Sequence, residues 1–341
     1  MKKIRVNMVS ESDITVQGHG VHTAYVEMAQ ALERRPDIAL TRGGFGKKLD
    51  VDIIHLHTIG LYGARKLLQK GPKKVVSAHI VPASLVGSLI LAKAWLPLAT
   101  RYMRWFYGRA DVVLAVSGTV AKILHKDLHI PKDKIRVFYN TIDMTRYKAT
   151  ADKRQKARKK LGLEKDTFMV LGNGQVQPRK RLDVFVAMAK ALPDVRFFWV
   201  GGIPFKQLGA DYAEMQKLIA SAPKNLTITG VIPHEKVRDY FIAADVFCLP
   251  AEQENHPMCV LEAASAGLPI VLRDIPEYDD TFKNDAMRCK SNQDFTEAII
   301  SLQNSKNHAS WRKKTEAIAK RFDSAVAAEQ LVSLYNEVIK R

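Results

Sequence analysis

Short apolar runs typical of buried strands alternate with helix-length amphipathic segments along the whole chain. Consecutive parallel strands need a crossover between them, usually a helix, so this alternation predicts an α/β fold of parallel sheets covered by helices. The strands are expected at residues 4–9, 53–56, 74–78, 112–116, 135–138, 167–171, 196–200, 227–229, 246–249 and 270–272.

The strand candidates fall into two sets. Between them lies a polar, charge-rich stretch at residues 147–160, which we interpret as a linker and the first helix of a second domain. The length of 341 residues fits two domains of about 100–200 residues each. We therefore predict domains at residues 1–146 and 147–321, and an amphipathic helix at about 324–340 that lies far from any strand.

Composition excludes several classes of protein. With 47% hydrophobic and 26% charged residues, the chain is not predicted to be disordered. Three cysteines without a CxxC pair are too few for a disulfide framework or a cysteine-built zinc site, and they fit a reducing, intracellular compartment. The N-terminal residues do not resemble a signal peptide, and no stretch of about 20 residues is apolar and uncharged enough to predict a membrane-spanning helix.

The positive charge is concentrated in the first half of the chain. The net charge is +18, and residues 1–150 contribute +13 of it, with 24 Lys and Arg against 11 Asp and Glu. No acidic residue occurs between Asp52 and Asp111, a window that holds nine basic residues. Such asymmetry indicates a polyanionic partner, either nucleic acid or an anionic membrane surface.

Residues 85–107 favour the membrane. Leucine, isoleucine and aromatic residues are interleaved there with basic ones, and Lys93 and Pro97 interrupt the run too early for a span. A segment lying among lipid headgroups has this composition, whereas a pair of core helices kinked at Pro97 is the alternative. A nucleic-acid groove is less favoured, because it is rarely so rich in aliphatic residues. The predicted membrane contacts are Lys93, Trp95, Arg101, Arg104 and Trp105.

The most specific motif is LPAEQENHPMCVLEAASAGLP, at residues 249–269. A strand ends at Leu249, a loop carries Glu254, and a helix that starts near Pro257 carries Glu262. The N–H groups at a helix start can bind a diphosphate, and carboxylates can accept hydrogen bonds from sugar hydroxyls.

This motif resembles the E-x7-E signature of the retaining glycosyltransferases of family 4. The resemblance implies the GT-B fold, in which two Rossmann-like domains face each other across a cleft and the C-terminal helix, here 322–341, returns to the N-terminal domain. It assigns Glu254 to the transferred sugar and Glu262 to the ribose of the donor. The remaining donor contacts in the motif are Asn255, His256, Pro257 and Met258.

Further motifs match the family in chain order. Gly18-His-Gly20 resembles its glycine-rich acceptor-side loop, where glycine lets the backbone approach the donor, so Gly18 and Gly20 are expected to bind the donor. His79 occupies the position of a histidine that contacts the sugar. In the second half, the sequence from Gly172 to Arg181, GNGQVQPRKR, resembles the loop whose basic residues neutralise the diphosphate. Gln175 stands where the family has arginine, so Arg179 is expected to substitute for it beside Lys180. Gly174 and Gly202 complete the implied donor-binding residues.

Two metal-like patterns are discounted. Asp50-Val-Asp52 resembles the D-x-D motif of another glycosyltransferase fold, but it opens a strand, where the family commonly has a structural acid. His55 and His57 fall on one face of that strand without a third ligand at plausible spacing, so we interpret them as packing residues. No metal or other cofactor is expected.

The resemblance implies a retaining, metal-independent transfer of galactose or glucose from a UDP-sugar, with the leaving phosphate helping to deprotonate the acceptor. Within the family, the loops are similar to those of bacterial glycolipid synthases, which implies monoglucosyl-diacylglycerol as the acceptor. Diacylglycerol itself or a soluble sugar are the alternatives. A non-catalytic nucleic-acid-binding protein is the alternative from a different class, although no nucleic-acid partner is expected. The enzyme is predicted to be cytoplasmic and peripheral on the inner face of the cell membrane.

Overall fold

The computed structural model describes residues 3–14, 20–44, 46–85, 92–203, 211–282 and 284–341. It divides into two compact units. The first extends to Asp143 and resumes from Phe322 to Arg341, and the second runs from Met144 to Arg321.

The first unit is one parallel sheet with helices on both faces. Elements are numbered along the whole chain. Those of this unit are β1 (Ile4–Val9), α1 (Gly20–Glu33), β2 (Ile38–Arg42), β3 (Ile53–Leu56), α2 (Leu61–Leu67), β4 (Lys73–Ala78), α3 (Pro82–Leu85), α4 (Ala92–Gly108), β5 (Val112–Ala115), α5 (Gly118–Lys126), β6 (Ile135–Val137) and α13 (Ser324–Lys340).

The strands of this sheet are ordered β2-β1-β3-β4-β5-β6, so the order reverses between β1 and β3. In β1, Val6 stands opposite Leu40 of β2 and Ile53 of β3. One face of the sheet packs against α1 and α13, and the other packs against α2, α4 and α5. Because both faces are covered, the strands are apolar throughout, which is why they are recognisable in the sequence.

The C-terminal helix belongs to the first unit, as predicted. Tyr335 of α13 is fully buried, and its hydroxyl lies 2.7 Å from Nδ1 of His55. The chain enters α13 beside Ile142, whose N–H donates to the Phe322 carbonyl at 2.9 Å and whose carbonyl accepts from the Ser324 N–H at 3.1 Å. Asp323 caps the helix through the Ala325 N–H.

The second unit repeats this architecture. Its elements are α6 (Ala151–Lys160), β7 (Met169–Asn173), α7 (Leu182–Ala191), β8 (Arg196–Val200), α8 (Tyr212–Ala220), β9 (Leu226–Ile228), α9 (His234–Ala243), β10 (Val246–Leu249), α10 (Met258–Ser265), β11 (Ile270–Arg273), β12 (Met287–Cys289), α11 (Asn292–Leu302) and α12 (Ser305–Arg321). The sheet is ordered β12-β11-β10-β7-β8-β9, and every neighbouring pair is parallel.

Two edge strands, β2 and β12, were absent from the sequence-based expectations. Both carry exposed or half-buried positions, so they lack the continuous apolar pattern of the central strands. Pro97 lies within a single helix, because α4 continues through it to Gly108. Within the part of the chain that the structure describes, no helix is long and apolar enough to cross a bilayer.

A half-buried acid ties the first helix of the second unit to its sheet. Asp245 accepts hydrogen bonds from Arg154 at 2.6 Å, from Arg158 at 3.4 Å and from the Met169 N–H at 2.8 Å. Arg158 is buried and also donates to the carbonyls of Ala243, Glu164 and Thr167. The two guanidinium groups therefore depend on one carboxylate for their counter-charge.

We expect Asp245→Ala to lower the free energy of unfolding by about 2–4 kcal/mol, because it leaves buried positive charge uncompensated. Urea unfolding measures the change. The control is Asp239→Ala on α9, which removes the partner of Lys160, an exposed residue of α6, and should cost less than about 1 kcal/mol. Equal losses in the two variants would contradict this account.

Candidate active site

The strand order of the second sheet reverses between β7 and β10. At such a point the loops that leave neighbouring strands turn in opposite directions, and a crevice opens at the carboxyl ends. The loop after β7, residues 174–181, and the loop after β10, residues 250–257, are these two loops. They carry the basic residues and the first glutamate of the E-x7-E motif.

A buried ion pair joins the two loops. Nζ of Lys180 donates to Oε1 of Glu254, and the two residues are only 8% and 7% exposed. Nη1 of Arg179 lies 3.8 Å from the same carboxylate oxygen. Isolated charges at this depth would be strongly destabilising, so each of the paired groups depends on the other. The structure thus brings Lys180, Arg179 and Glu254 together.

Arg179 also holds the loops to each other. Its Nη1 donates to the Gln253 carbonyl at 3.0 Å, and its own carbonyl accepts from the Glu252 N–H at 2.9 Å. Its Nε donates to Gln177 at 3.2 Å. The sequence indicated a diphosphate ligand here, but it gave no sign of these loop contacts, because the partners lie about 74 positions away.

Arg181 adds a second connection at the surface. It has a left-handed backbone, with φ 55° and ψ 51°. A non-glycine residue in this conformation costs roughly 1–2 kcal/mol. Its guanidinium contacts both Asp183 and Glu252, so ion pairs offset part of that cost.

The second motif glutamate has a partner that the sequence did not reveal. Oε1 of Glu262, on α10, accepts a hydrogen bond from the Tyr147 hydroxyl at 2.8 Å. This contact fixes the orientation of the carboxylate. His256 is buried and stacks on Phe282, with the ring centroids 5.3 Å apart and the planes 6° apart. This stacking helps to fix the segment from Asn255 to Pro257, which leads into α10 at Met258.

Glycines let three backbone segments approach closely beside these loops. A Cβ on Gly202 would lie 3.0 Å from the Val231 nitrogen, and one on Gly201 would overlap the Gly174 carbonyl. Gly174 has φ 152°, and its α-carbon faces the side-chain stem of Lys180. Gly202 thus has a packing reason to be glycine, and Gly174 has a backbone one, because residues with a Cβ rarely adopt its φ. Both reasons stand besides the donor-binding role that the family resemblance implies.

The first unit gathers three histidines at the carboxyl ends of β3 and β4. His55 and His57 are fully buried, and His79 follows β4 directly. Nδ1 of His57 lies 3.1 Å from Nε2 of His79, whereas His55 contacts Ser77 at 2.9 Å and Tyr335. Burial lowers the pKa of His55 to about 3 and that of His57 well below 6.5, so both imidazoles are neutral.

The remaining acceptor-side residues are only partly described. Gly20 begins α1, and Gly18 lies outside the described residues.

The discounted D-x-D pattern is an ion-pair site, because Arg5 contacts Asp50 at 2.5 Å and Asp52 at 2.8 Å. Within the described ranges, no three His, Cys, Asp or Glu side chains are grouped so that they could hold a metal ion.

Helix α4 is amphipathic in the structure. Met103, Phe106 and Tyr107 are buried, while Arg101, Arg104 and Leu98, at 72% exposed, face solvent. Trp95 and Trp105 are half-buried, and the Arg109 guanidinium lies 4.6 Å above the Trp105 ring. Lys93 belongs to the first turn, but its side chain lies outside the described part.

Sequence reasoning missed a neighbouring exposed apolar group on α2. Leu61 is 85% exposed, and Tyr62 and Leu68 are exposed beside Arg65. The start of α2 packs against α4, because the Tyr102 hydroxyl donates to the Ile59 carbonyl at 2.5 Å. The residues were visible in the sequence, but their exposure was not, since a short apolar helix is more often a core element.

Two family models match the chain. The model of Glycosyltransferase Family 4 matches residues 10–146, and that of Glycosyl transferases group 1 matches residues 153–321. The alpha-galactosylglucosyldiacylglycerol synthase of Streptococcus pneumoniae is 32% identical over 89% of this chain and 81% of its own length. The chain belongs to the family 4 glycosyltransferases. The resemblance found in the motifs and the prediction of an enzyme are confirmed, and the non-catalytic alternative is wrong.

Other comparisons agree with this glycosyltransferase assignment. A processive diacylglycerol alpha-glucosyltransferase of Acholeplasma laidlawii is 25% identical over 87% of each chain. Among solved structures, Anabaena HepE in complex with UDP and glucose superposes with a TM-score of 0.80 at 15% identity, covering 98% of this chain and 99% of its own. A likeness at that identity supports the fold alone, and it confirms the predicted α/β GT-B class of two parallel sheets.

The Lys180–Glu254 pair predicts non-additive effects on stability. Lys180→Met and Glu254→Gln should each lower the free energy of unfolding by up to about 3–5 kcal/mol, because each leaves one buried charge without this partner. The loss in the double variant should be smaller than the sum of the two single losses by about 1–3 kcal/mol, because it removes both charges. Urea unfolding of the four proteins measures this coupling, and additive losses would show that the groups do not interact.

Proposed function

We propose that this glycosyltransferase moves galactose or glucose from a UDP-sugar to monoglucosyl-diacylglycerol, with retention of anomeric configuration. The observation that carries the chemistry is the pairing of Lys180 with Glu254 at the reversal point of the second sheet. Cationic groups and a carboxylate meet there, at the edge where ligands of open α/β sheets bind. The relatives that act on diacylglycerol lipids supply the acceptor class.

In this proposal the second unit binds the donor. Lys180 and Arg179 neutralise the departing diphosphate, together with the N-terminus of α10, so no metal is needed for that charge. Glu254 accepts hydrogen bonds from the sugar, and Glu262 accepts hydrogen bonds from the ribose. Binding of the donor then exchanges the Lys180–Glu254 contact for contacts of each group with the ligand.

His79, in the first unit, is assigned to the hydroxyls of the transferred sugar on the family resemblance. The acceptor hydroxyl attacks from the face on which the diphosphate leaves, and the leaving phosphate takes up its proton. The alternatives for the acceptor are diacylglycerol, which would make this the first sugar addition, and a soluble sugar.

A membrane-docking role for the first unit fits the lipid acceptor. The exposed arginines of α4 can meet anionic headgroups, while Leu98 and the exposed Leu61 and Tyr62 of α2 can enter the interface. No acid occurs in the sequence between Asp52 and Asp111 to repel such a surface. We propose that the enzyme binds the cytoplasmic face of the membrane through this surface.

A matrix of donors and acceptors tests the proposed reaction. UDP-galactose and UDP-glucose are each incubated with diacylglycerol and with glucosyl-diacylglycerol in anionic vesicles. We expect a labelled diglycosyl lipid from glucosyl-diacylglycerol with one of the donors, and turnover that EDTA leaves unchanged. Product from diacylglycerol alone would move the assignment to the first sugar addition, and loss of turnover in EDTA would contradict a metal-independent transfer.

A pair of neighbouring glutamates tests the site. Glu254→Ala should abolish sugar transfer without weakening vesicle binding, because it removes a group on the donor side. Glu252→Ala is the matched control, since Glu252 lies two positions away and pairs with Arg181 at the surface. It should retain activity. Transfer by Glu254→Ala at the wild-type rate would rule out the catalytic assignment.

Charge reversal tests the membrane surface. Replacing Lys93, Arg101 and Arg104 by Glu should weaken co-sedimentation with anionic vesicles by at least tenfold, since each basic group near such a surface contributes about 1 kcal/mol. Binding of the wild type should also fall as salt is raised.

The control makes the same charge change elsewhere. Lys153, Lys156 and Lys159 are exposed on α6 of the second unit, and their replacement by Glu alters the net charge equally. That variant should bind vesicles nearly as well as the wild type. If both triple variants lose binding equally, net charge rather than the α4 surface is responsible.

A further inference from the structure

The buried histidines at the ends of β3 and β4 differ in how their ring nitrogens are used. Both nitrogens of His55 have partners, the Tyr335 hydroxyl at 2.7 Å and the Ser77 hydroxyl at 2.9 Å. Each hydroxyl can either donate or accept, so His55 is satisfied in both neutral tautomers. Its role is accounted for by packing and by these two contacts.

His57 has only one such contact. Its Nδ1 lies 3.1 Å from Nε2 of His79, while its Nε2 is inaccessible to solvent and has no hydrogen-bond partner within the described chain. The rings of His57 and His79 are 5.3 Å apart and inclined by 23°, which suits a hydrogen bond close to the ring planes. The rings of Tyr25 and His57 pack in a T-shaped arrangement, with their centroids 5.4 Å apart.

The neutral state of His57 limits the possible arrangements to two. Burial lowers the pKa of this imidazole well below 6.5, so it carries one N–H. If the proton were on Nε2, a buried donor would have no acceptor. If it is on Nδ1, the orphaned group is a lone pair, and buried acceptors without partners are tolerated more often than buried donors.

We propose that His57 donates its Nδ1–H to Nε2 of His79 and so holds His79 in the tautomer that is protonated at Nδ1. His57 is then a positioning residue for sugar transfer, acting through His79. This inference rests on the proposed function, in which His79 contacts the transferred sugar. With its Nε2 occupied as an acceptor, His79 in this tautomer meets the sugar through its Nδ1–H as a hydrogen-bond donor, which suits the oxygen of a hydroxyl group.

The tautomer can be measured independently of activity. In protein carrying 15N-labelled histidine, lone-pair and protonated ring nitrogens resonate in separate regions, and the signals of His79 are assigned by their loss in His79→Gln. We expect Nε2 of His79 to be of the lone-pair type and Nδ1 to be protonated. A wild-type spectrum with His79 protonated at Nε2 would overturn the proposal, whatever the enzyme transfers.

Two amide variants distinguish positioning from packing. His57→Asn places an N–H near the position of Nδ1, whereas His57→Gln places its amide near Nε2. We expect His57→Gln to populate both tautomers of His79 and to lower kcat about tenfold, the loss for about 1.4 kcal/mol of transition-state stabilisation, with little change in KM for the donor. His57→Asn should restore the wild-type spectrum and most of kcat.

His55→Asn provides the control, because it alters an equally buried histidine on the same strand that does not contact His79. It should lower the free energy of unfolding while leaving the His79 signals unchanged. If His57→Gln and His57→Asn have the same spectrum and the same kcat, the proposal fails. If no lipid product forms with any variant while the spectra follow the expectation, the proposed reaction fails and the tautomer assignment survives.

Discussion

The contact between Lys180 and Glu254 connects the parts of the second unit on which the chemistry depends. The two residues come from loops that leave β7 and β10, the strands between which the sheet order reverses. Neither charge is stable alone at this depth, so the loops are held together before any ligand arrives. Arg179 strengthens the connection through the Gln253 carbonyl. The two loops are therefore positioned by the same groups that are proposed to bind the donor, and donor binding has to replace this buried contact with contacts of each group to the ligand.

The first unit is organised by a different kind of interaction. At the carboxyl ends of β3 and β4, Tyr335, His55 and Ser77 form one hydrogen-bonded chain, and His57 and His79 form another. Such chains fix the orientation of rings at the carboxyl ends of β3 and β4 without burying charge. The two units thus differ in their means of holding functional side chains, with ionic contacts in one and neutral hydrogen bonds in the other.

Sequence patterns predicted the central strands, the final helix and the family, because buried parallel strands are continuously apolar and the E-x7-E motif is specific in its surroundings. They failed for β2 and β12, whose edge positions remove the apolar pattern. They also missed the partners of Glu262 and His79, since Tyr147 and His57 are brought near only by folding. Residue type and spacing indicate candidate groups, whereas their tautomers and hydrogen-bond partners depend on long-range contacts.

The position of α13 affects the order in which the units can form during synthesis. Its residues complete the core shared by α1 and one face of the first sheet, yet they follow the whole of the second unit in the sequence. The second unit can fold as a continuous segment while the chain is still being made. The first must wait with an open apolar surface and an unmatched His55 until α13 emerges. Although it is encoded first, this unit therefore completes its core only after the whole of the second unit has been synthesised.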